Sequence, residues 1–100
     1  IEMTALKSAK LKAEKGLINA KLYIENSKIK ELRLEGDFFF YPEDKLWELE
    51  NALVGMRLDK EKLREEIARF YSENNILSPG VKPKDFAEAI IMAYNQPAKD

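Results

Sequence analysis

Gly36-Asp37-Phe38-Phe39-Phe40-Tyr41-Pro42 is where the chain changes character, and its reading decides the fold. Before it, apolar residues alternate with polar ones between short turns; after it, they recur at helical spacing. Four consecutive aromatics at such a junction need a dry environment, either the domain's own core or a partner. In extended geometry Phe38 and Phe40 point to one side and Phe39 to the other. Phe38 and Phe40 are therefore expected in the core, leaving Phe39 for a partner. Asp37, wedged between a glycine and three phenylalanines, is expected to be partly buried and hydrogen-bonded. Its role is a turn or cap where the sheet ends, or else contact with a partner.

Upstream, Ser8 to Glu14 sets Ala9, Leu11 and Ala13 against Lys10, Lys12 and Glu14, the period-2 pattern of a half-buried strand. Lys15-Gly16 follows as a turn. Leu17 to Glu25 repeats the pattern more cleanly, with Ile18, Ala20, Leu22 and Ile24 on one face. After the Asn26-Ser27 turn, Lys28 to Glu35 loses phase, since Ile29 is odd-numbered while Leu32 and Leu34 are even. A β-bulge near Lys30-Glu31 repairs the mismatch. Such short links require antiparallel neighbours.

Downstream, Pro42 is expected at a first helical position, with Glu43 and Asp44 at the positive end of the helix dipole. Leu46, Leu49 and Leu53, flanked by Trp47 and Val54, make an apolar stripe that Gly55 ends. Asp59 is an N-cap for a second helix, with Leu58 and Leu63 placed as a hydrophobic staple and Leu63, Ile67, Phe70 and Tyr71 on its buried face. Ser78-Pro79-Gly80 reads as a loop, and Pro83 opens a third helix carrying Phe86, Ala87, Ile90, Ile91 and Tyr94. The expectation is one α+β domain over residues 1 to 100, in two layers. A small antiparallel β-sheet of about three strands (8–40) is followed by three helices (about 43–54, 60–74 and 83–95).

Composition narrows the chemistry. The 100 residues hold no cysteine and no histidine, which argues against thiolate nucleophiles, sulfur-ligated metals and histidine bases. The net charge of -1 gives no reason to expect a nucleic-acid partner, and no apolar run is long enough to span a membrane. Residues 1 to 36 carry eight Lys or Arg against five acids, and residues 37 to 66 nine acids against five bases. Two solvated faces explain this, as does an electrostatically polar domain oriented by a partner. Glu43, Asp44, Glu48 and Glu50 suggest an acid pair or a Mg²⁺ site, but helix dipole and solubility account for them. Lys15-Gly16 beside a phosphate is weaker than Lys15-Gly16 in a hairpin turn. Asn19, Lys21 and Tyr23 are too few for a nucleic-acid platform.

Residues beyond the reach of periodicity carry a family likeness. Lys12-Ala13-Glu14-Lys15-Gly16-Leu17-Ile18, then Ile29 and Leu32-x-Leu34-x-Gly36-Asp37-Phe38-Phe39, then Pro42-Glu43 and Leu49-Glu50-x-x-Leu53-x-Gly55 resemble the C-terminal accessory domain of lipoate-protein ligase A. The likeness spans about residues 8 to 75. It implies an accessory to a large catalytic domain that holds ATP, Mg²⁺ and lipoate, makes lipoyl-AMP and passes the lipoyl group to a lipoyl-domain acceptor. In this family the small domain is in some organisms a separate subunit, which this chain resembles; an excised domain is the alternative, as is a true start at Met3 rather than Ile1. The resemblance implies a cytoplasmic heterodimer in which this chain alone binds no cofactor and has no catalytic residue. The partner surface expected on these grounds comprises Asp37, Phe38 and Phe39 with the Lys15-Gly16 turn. A competing reading is a free-standing module that binds a lipoyl carrier or another protein without supporting adenylation.

Overall fold

A computed structural model of the chain describes residues 4–98; Ile1 and Met3, the alternative starts, lie outside the described residues. Three strands, β1 (Thr4–Ala13), β2 (Gly16–Glu25) and β3 (Lys28–Asp37), precede three helices, α1 (Lys45–Ala52), α2 (Lys60–Asn74) and α3 (Pro83–Tyr94). The strands form an antiparallel meander in the order β1-β2-β3. This is the α+β architecture expected, a sheet followed by helices.

The register follows from the alternation. Ala9 lies opposite Ala20, and Ala20 opposite Leu34, which puts small residues at the centre of the face that α3 covers. In β3 the expected bulge falls at Lys30: Tyr23 pairs with Glu31 and Ile24 with Ile29. The skipped residue restores phase, and Ile29, Leu32 and Leu34 are all buried. At the Asn26-Ser27 turn both residues take positive φ, 55° and 63°, the backbone of a type I′ hairpin.

The first helix ends at Ala52 rather than residue 54, and three further boundaries differ from the sequence reading. β1 starts at Thr4, earlier than Ser8; Lys7 falls on the inner face there, and its Nζ donates to the Tyr94 carbonyl at 2.8 Å, at the C-terminal end of α3. The sheet stops at Asp37, before Phe40, because Asp37 pairs with Leu17 and β2 has only Gly16 beyond it. The helix expected from residue 43 starts at Lys45. Pro42 follows a cis peptide bond, and residues 42–44 form a turn in which the Lys45 and Leu46 amides donate to the Pro42 and Glu43 carbonyls at 3.1 and 3.2 Å.

α3 lies across β1 and β2, α2 packs on α3, and α1 sits beside β3. The capping chemistry matches the sequence: the Asp59 carboxylate accepts from the Lys62 amide at 3.0 Å, and Pro83 occupies the start of α3. Leu63, Ile67, Phe86, Ala87 and Ile90 are fully buried, with Phe70, Tyr71, Ile91 and Tyr94 packed against that core. No helix among the described residues is long and apolar enough to cross a membrane.

Candidate functional site

The aromatic junction divides as extended geometry requires. Phe40 is buried and Phe38 half-buried, while Phe39 keeps 55% of its surface exposed. Both inward rings meet Phe86 edge to face, with centroids 5.3 Å away for Phe38 and 6.1 Å for Phe40. Phe40 also meets Tyr71 at 5.9 Å. These contacts tie the junction to α3 and α2 together, so the outward residues are held on a rigid base.

Asp37 does not behave as expected. Its side chain is exposed, and no described hydrogen bond reaches its carboxylate. Its backbone makes the close contact instead, because it pairs with Leu17 at the last rung of the sheet. The carboxylate, freed from any capping role, points to solvent beside Phe39.

Lys15 and Gly16 do come to this junction. A Cβ on Gly16 would stand 2.6 Å from the Asp37 carbonyl oxygen and 3.0 Å from the Phe38 Cβ, so only glycine lets the two segments touch. From the other side the Lys15 amide donates to the Gly80 carbonyl at 3.0 Å. Three loops thus meet at one end of the sheet: the β1–β2 turn, the aromatic junction and the loop before α3. The last is fixed by a buried relay, in which Ser78 Oγ donates to the Val81 carbonyl at 2.8 Å and stands 2.7 Å from the Tyr71 hydroxyl. Burial, with Asp85 adding to it, pushes the Tyr71 phenol up to about 12, so it stays neutral at any physiological pH.

Other large apolar side chains are exposed as well. Tyr41 and Leu77 exchange two backbone hydrogen bonds of 2.8 Å, and both side chains are 58% exposed. Trp47 is 62% exposed and Val54 45%, so neither joins the apolar stripe of α1. Phe38, Phe39, Phe40, Glu43 and Leu46 line a cleft of about 310 Å³.

Glu50, expected on a solvated face, is buried instead. Its Oε2 accepts the Leu34 backbone N–H at 2.7 Å, and Arg33 stands 3.8 Å from Oε1. Burial raises its pKa, opposed by the Leu34 hydrogen bond and the Arg33 charge. At about 100° per residue, Glu50 lies nearer the centre of the Leu46-Leu49-Leu53 stripe than Trp47 does. That helical arithmetic is the signal that finds both the buried acid and the exposed indole.

The arrangement sets exposed aromatic side chains beside a cleft. Among the described residues no group of three or more Asp or Glu is placed to hold a metal ion.

Comparison with known proteins agrees with this geometry. The family described as bacterial lipoate protein ligase C-terminus matches residues 2–90. Lipoate-protein ligase A subunit 2 of Thermoplasma acidophilum is 39% identical over 88 residues, covering 88% of this chain and 90% of that protein. A solved structure of a bipartite lipoate protein ligase and its E2 lipoyl domain from the same archaeon contains a similar chain. The TM-score is 0.75 at 38% identity, covering 90% of this chain and 97% of that one. This chain belongs to the family of lipoate protein ligase C-terminal domains.

Proposed function

We propose that the chain is the accessory subunit of a two-part lipoate-protein ligase, acting with a large catalytic subunit in protein lipoylation. The observation that carries this reading is coverage: the chain accounts for nearly the whole of a relative that is itself a separate second subunit. The finer proposal is that the complex needs this subunit for the first half-reaction, the ATP-dependent conversion of lipoate to lipoyl-AMP. ATP, Mg²⁺ and lipoate are then held by the complex rather than by this chain alone, and the acceptor lipoyl domain is met through the large subunit. The complex acts in the cytoplasm.

In this reading the chain contributes surface. Asp37, Phe38 and Phe39, with the Lys15-Gly16 turn beneath them, meet the catalytic subunit, and Tyr41 and Leu77 extend the contact. Closing such a surface over a reactive acyl adenylate excludes water and restrains loops, which is gating rather than chemistry. The rigid aromatic base suits that task, because a gate must hold its shape while the partner moves.

The experiment mixes lipoate, ATP-Mg²⁺ and the large subunit with and without this chain, and follows lipoyl-AMP. Adenylate formation that depends on the chain is the expected result. Equal rates in both mixtures would exclude the accessory role and leave a binding module for a lipoyl carrier as the surviving alternative.

A further inference from the structure

We propose that the cleft between the aromatic junction and α1 is the seat for a single Lys or Arg side chain presented by the catalytic subunit. The inference rests on the reading above for its partner and on the cleft for its chemistry. Three phenylalanines, Leu46 and Glu43 line it, and Glu43 is its one ionisable residue. A cleft of about 310 Å³ is at the small end of ligand pockets, which run from about 300 to 1,000 Å³. It has room for one long side chain.

The polar partners of the neighbouring acids point the same way. Glu48 is engaged by Lys45 at 3.2 Å, and Glu50 by the Leu34 amide and Arg33. Glu43 is exposed, and its carboxylate has no ion pair or hydrogen bond among the described residues; the same holds for the carboxylates of Asp37 and Asp44. The carboxylates without a described partner near the aromatic run therefore bracket it on both sides, while those one turn further on are satisfied internally. Lys and Arg bury an aliphatic stem against apolar walls while keeping the charged head at a polar rim. Phenyl faces add attraction for the same cation. An apolar side chain would fill the walls and leave Glu43 unused, and an acidic one would be repelled.

The partner's own chemistry supplies the complement. A subunit that activates an acid with ATP must surround phosphates with Lys and Arg, so a surface abutting that site presents cations. An acidic aromatic cleft engages a cation of the partner and leaves no uncompensated charge when water is excluded.

The test is calorimetric titration of this chain into the catalytic subunit at low and moderate salt. The variants are Glu43→Gln, Glu43→Lys, Phe39→Ala and, as a control, Glu48→Gln, whose carboxylate already has Lys45. Glu43→Gln is expected to weaken binding about tenfold, equivalent to about 1.4 kcal/mol, and to flatten its salt dependence. Glu43→Lys should weaken it further, Phe39→Ala at least as much as Glu43→Gln, and Glu48→Gln less than twofold. Glu43 is exposed, so circular dichroism should find all its variants folded. Loss of affinity in Phe39→Ala alone, with both Glu43 variants unchanged, would mean an apolar occupant and overturn the proposal. So would Glu43 variants that weaken binding of a lipoyl domain rather than of the catalytic subunit. Failure of the unmodified chain to bind the catalytic subunit would overturn the accessory role itself and this inference with it. Tight binding indifferent to Glu43 overturns this inference alone.

Discussion

The Glu50 carboxylate accepts the backbone N–H of Leu34 at 2.7 Å, so a side chain of α1 supplies a main-chain hydrogen bond on β3. Further along the strand, the Ile29 amide donates to the Met56 carbonyl at 2.9 Å and the Gly55 amide to the Ile29 carbonyl at 2.7 Å. Helix and following loop together close one edge of the sheet, which would otherwise offer unpaired groups to other chains.

Removing that acceptor leaves a buried amide unsatisfied. Glu50→Ala should cost about 1–3 kcal/mol, read by urea denaturation. Glu50→Gln keeps an acceptor oxygen and removes the charge that burial penalises. Because the folded pKa lies above the ordinary 4.5, the folded state binds the extra proton. The carboxylate's contribution is fully favourable below that ordinary value and is lost as pH rises through the raised one. Glu50→Gln should therefore gain stability relative to the parent chain at neutral pH, and the gap should close as pH falls toward 4.5. A gap that widens on acidification would show that Arg33, rather than burial, dominates.

Phe86 and Phe39 should separate stability from binding. Phe86 is fully buried and touches both inward rings of the junction, so Phe86→Ala should cost about 3–5 kcal/mol. Phe39 is mostly exposed, and Phe39→Ala should stay within about 0.5 kcal/mol of the parent in the same denaturation. With the catalytic subunit the order reverses in meaning: Phe39→Ala should lower both complex formation and lipoyl-AMP production while remaining folded. Unchanged values of both would remove Phe39 from the interface.

Much of this was legible in the sequence because two periods differ. The alternation at Ile18, Ala20, Leu22 and Ile24 specifies a strand face, and the phase slip before Leu32 specifies the bulge that the structure has at Lys30. Phe38 and Phe40 follow from the same rule. Contacts between segments distant in sequence were not legible. Leu77 lies in a loop that local rules leave unplaced, yet it pairs with Tyr41, and helical arithmetic turns Glu50 toward the stripe of α1 without naming the partner it meets there. Its burial depends on the unpaired Leu34 amide across the sheet edge, a fact of tertiary position. Asp37 failed for the same reason, since Phe38 and Phe40 turn to Phe86 while Asp37 stays exposed.

Gly80 tests how firmly the three loops are joined. It has φ of 88°, and a Cβ there would sit 2.2 Å from the Lys15 Cβ. Gly80→Ala must push the β1–β2 turn away and weaken the 3.0 Å bond from the Lys15 amide to the Gly80 carbonyl. A cost of about 1–3 kcal/mol is expected. Hydrogen exchange at the Lys15 amide should accelerate well beyond what the global loss of stability explains. Exchange that merely tracks global unfolding would mean the loop follows the turn without losing the contact.

Trp47 provides an intrinsic reporter of the docking surface. It is the single tryptophan of the chain, and it is 62% exposed on α1, the helix that contributes Leu46 to the cleft. An exposed indole emits at long wavelength and is open to soluble quenchers. Docking of a partner across the cleft and α1 removes water from that ring, since interface centres exclude solvent as protein interiors do. Emission from this chain in complex with a tryptophan-free form of the catalytic subunit should shift to shorter wavelength, and acrylamide quenching should fall severalfold. Glu43→Lys, by weakening the complex, should return both signals toward those of the free chain at the same concentrations. A blue shift without protection from acrylamide would mean that the partner reorganises α1 from a distance. No change in either signal while calorimetry reports binding would confine the contact to the side of the aromatic junction bearing Phe39 and Tyr41.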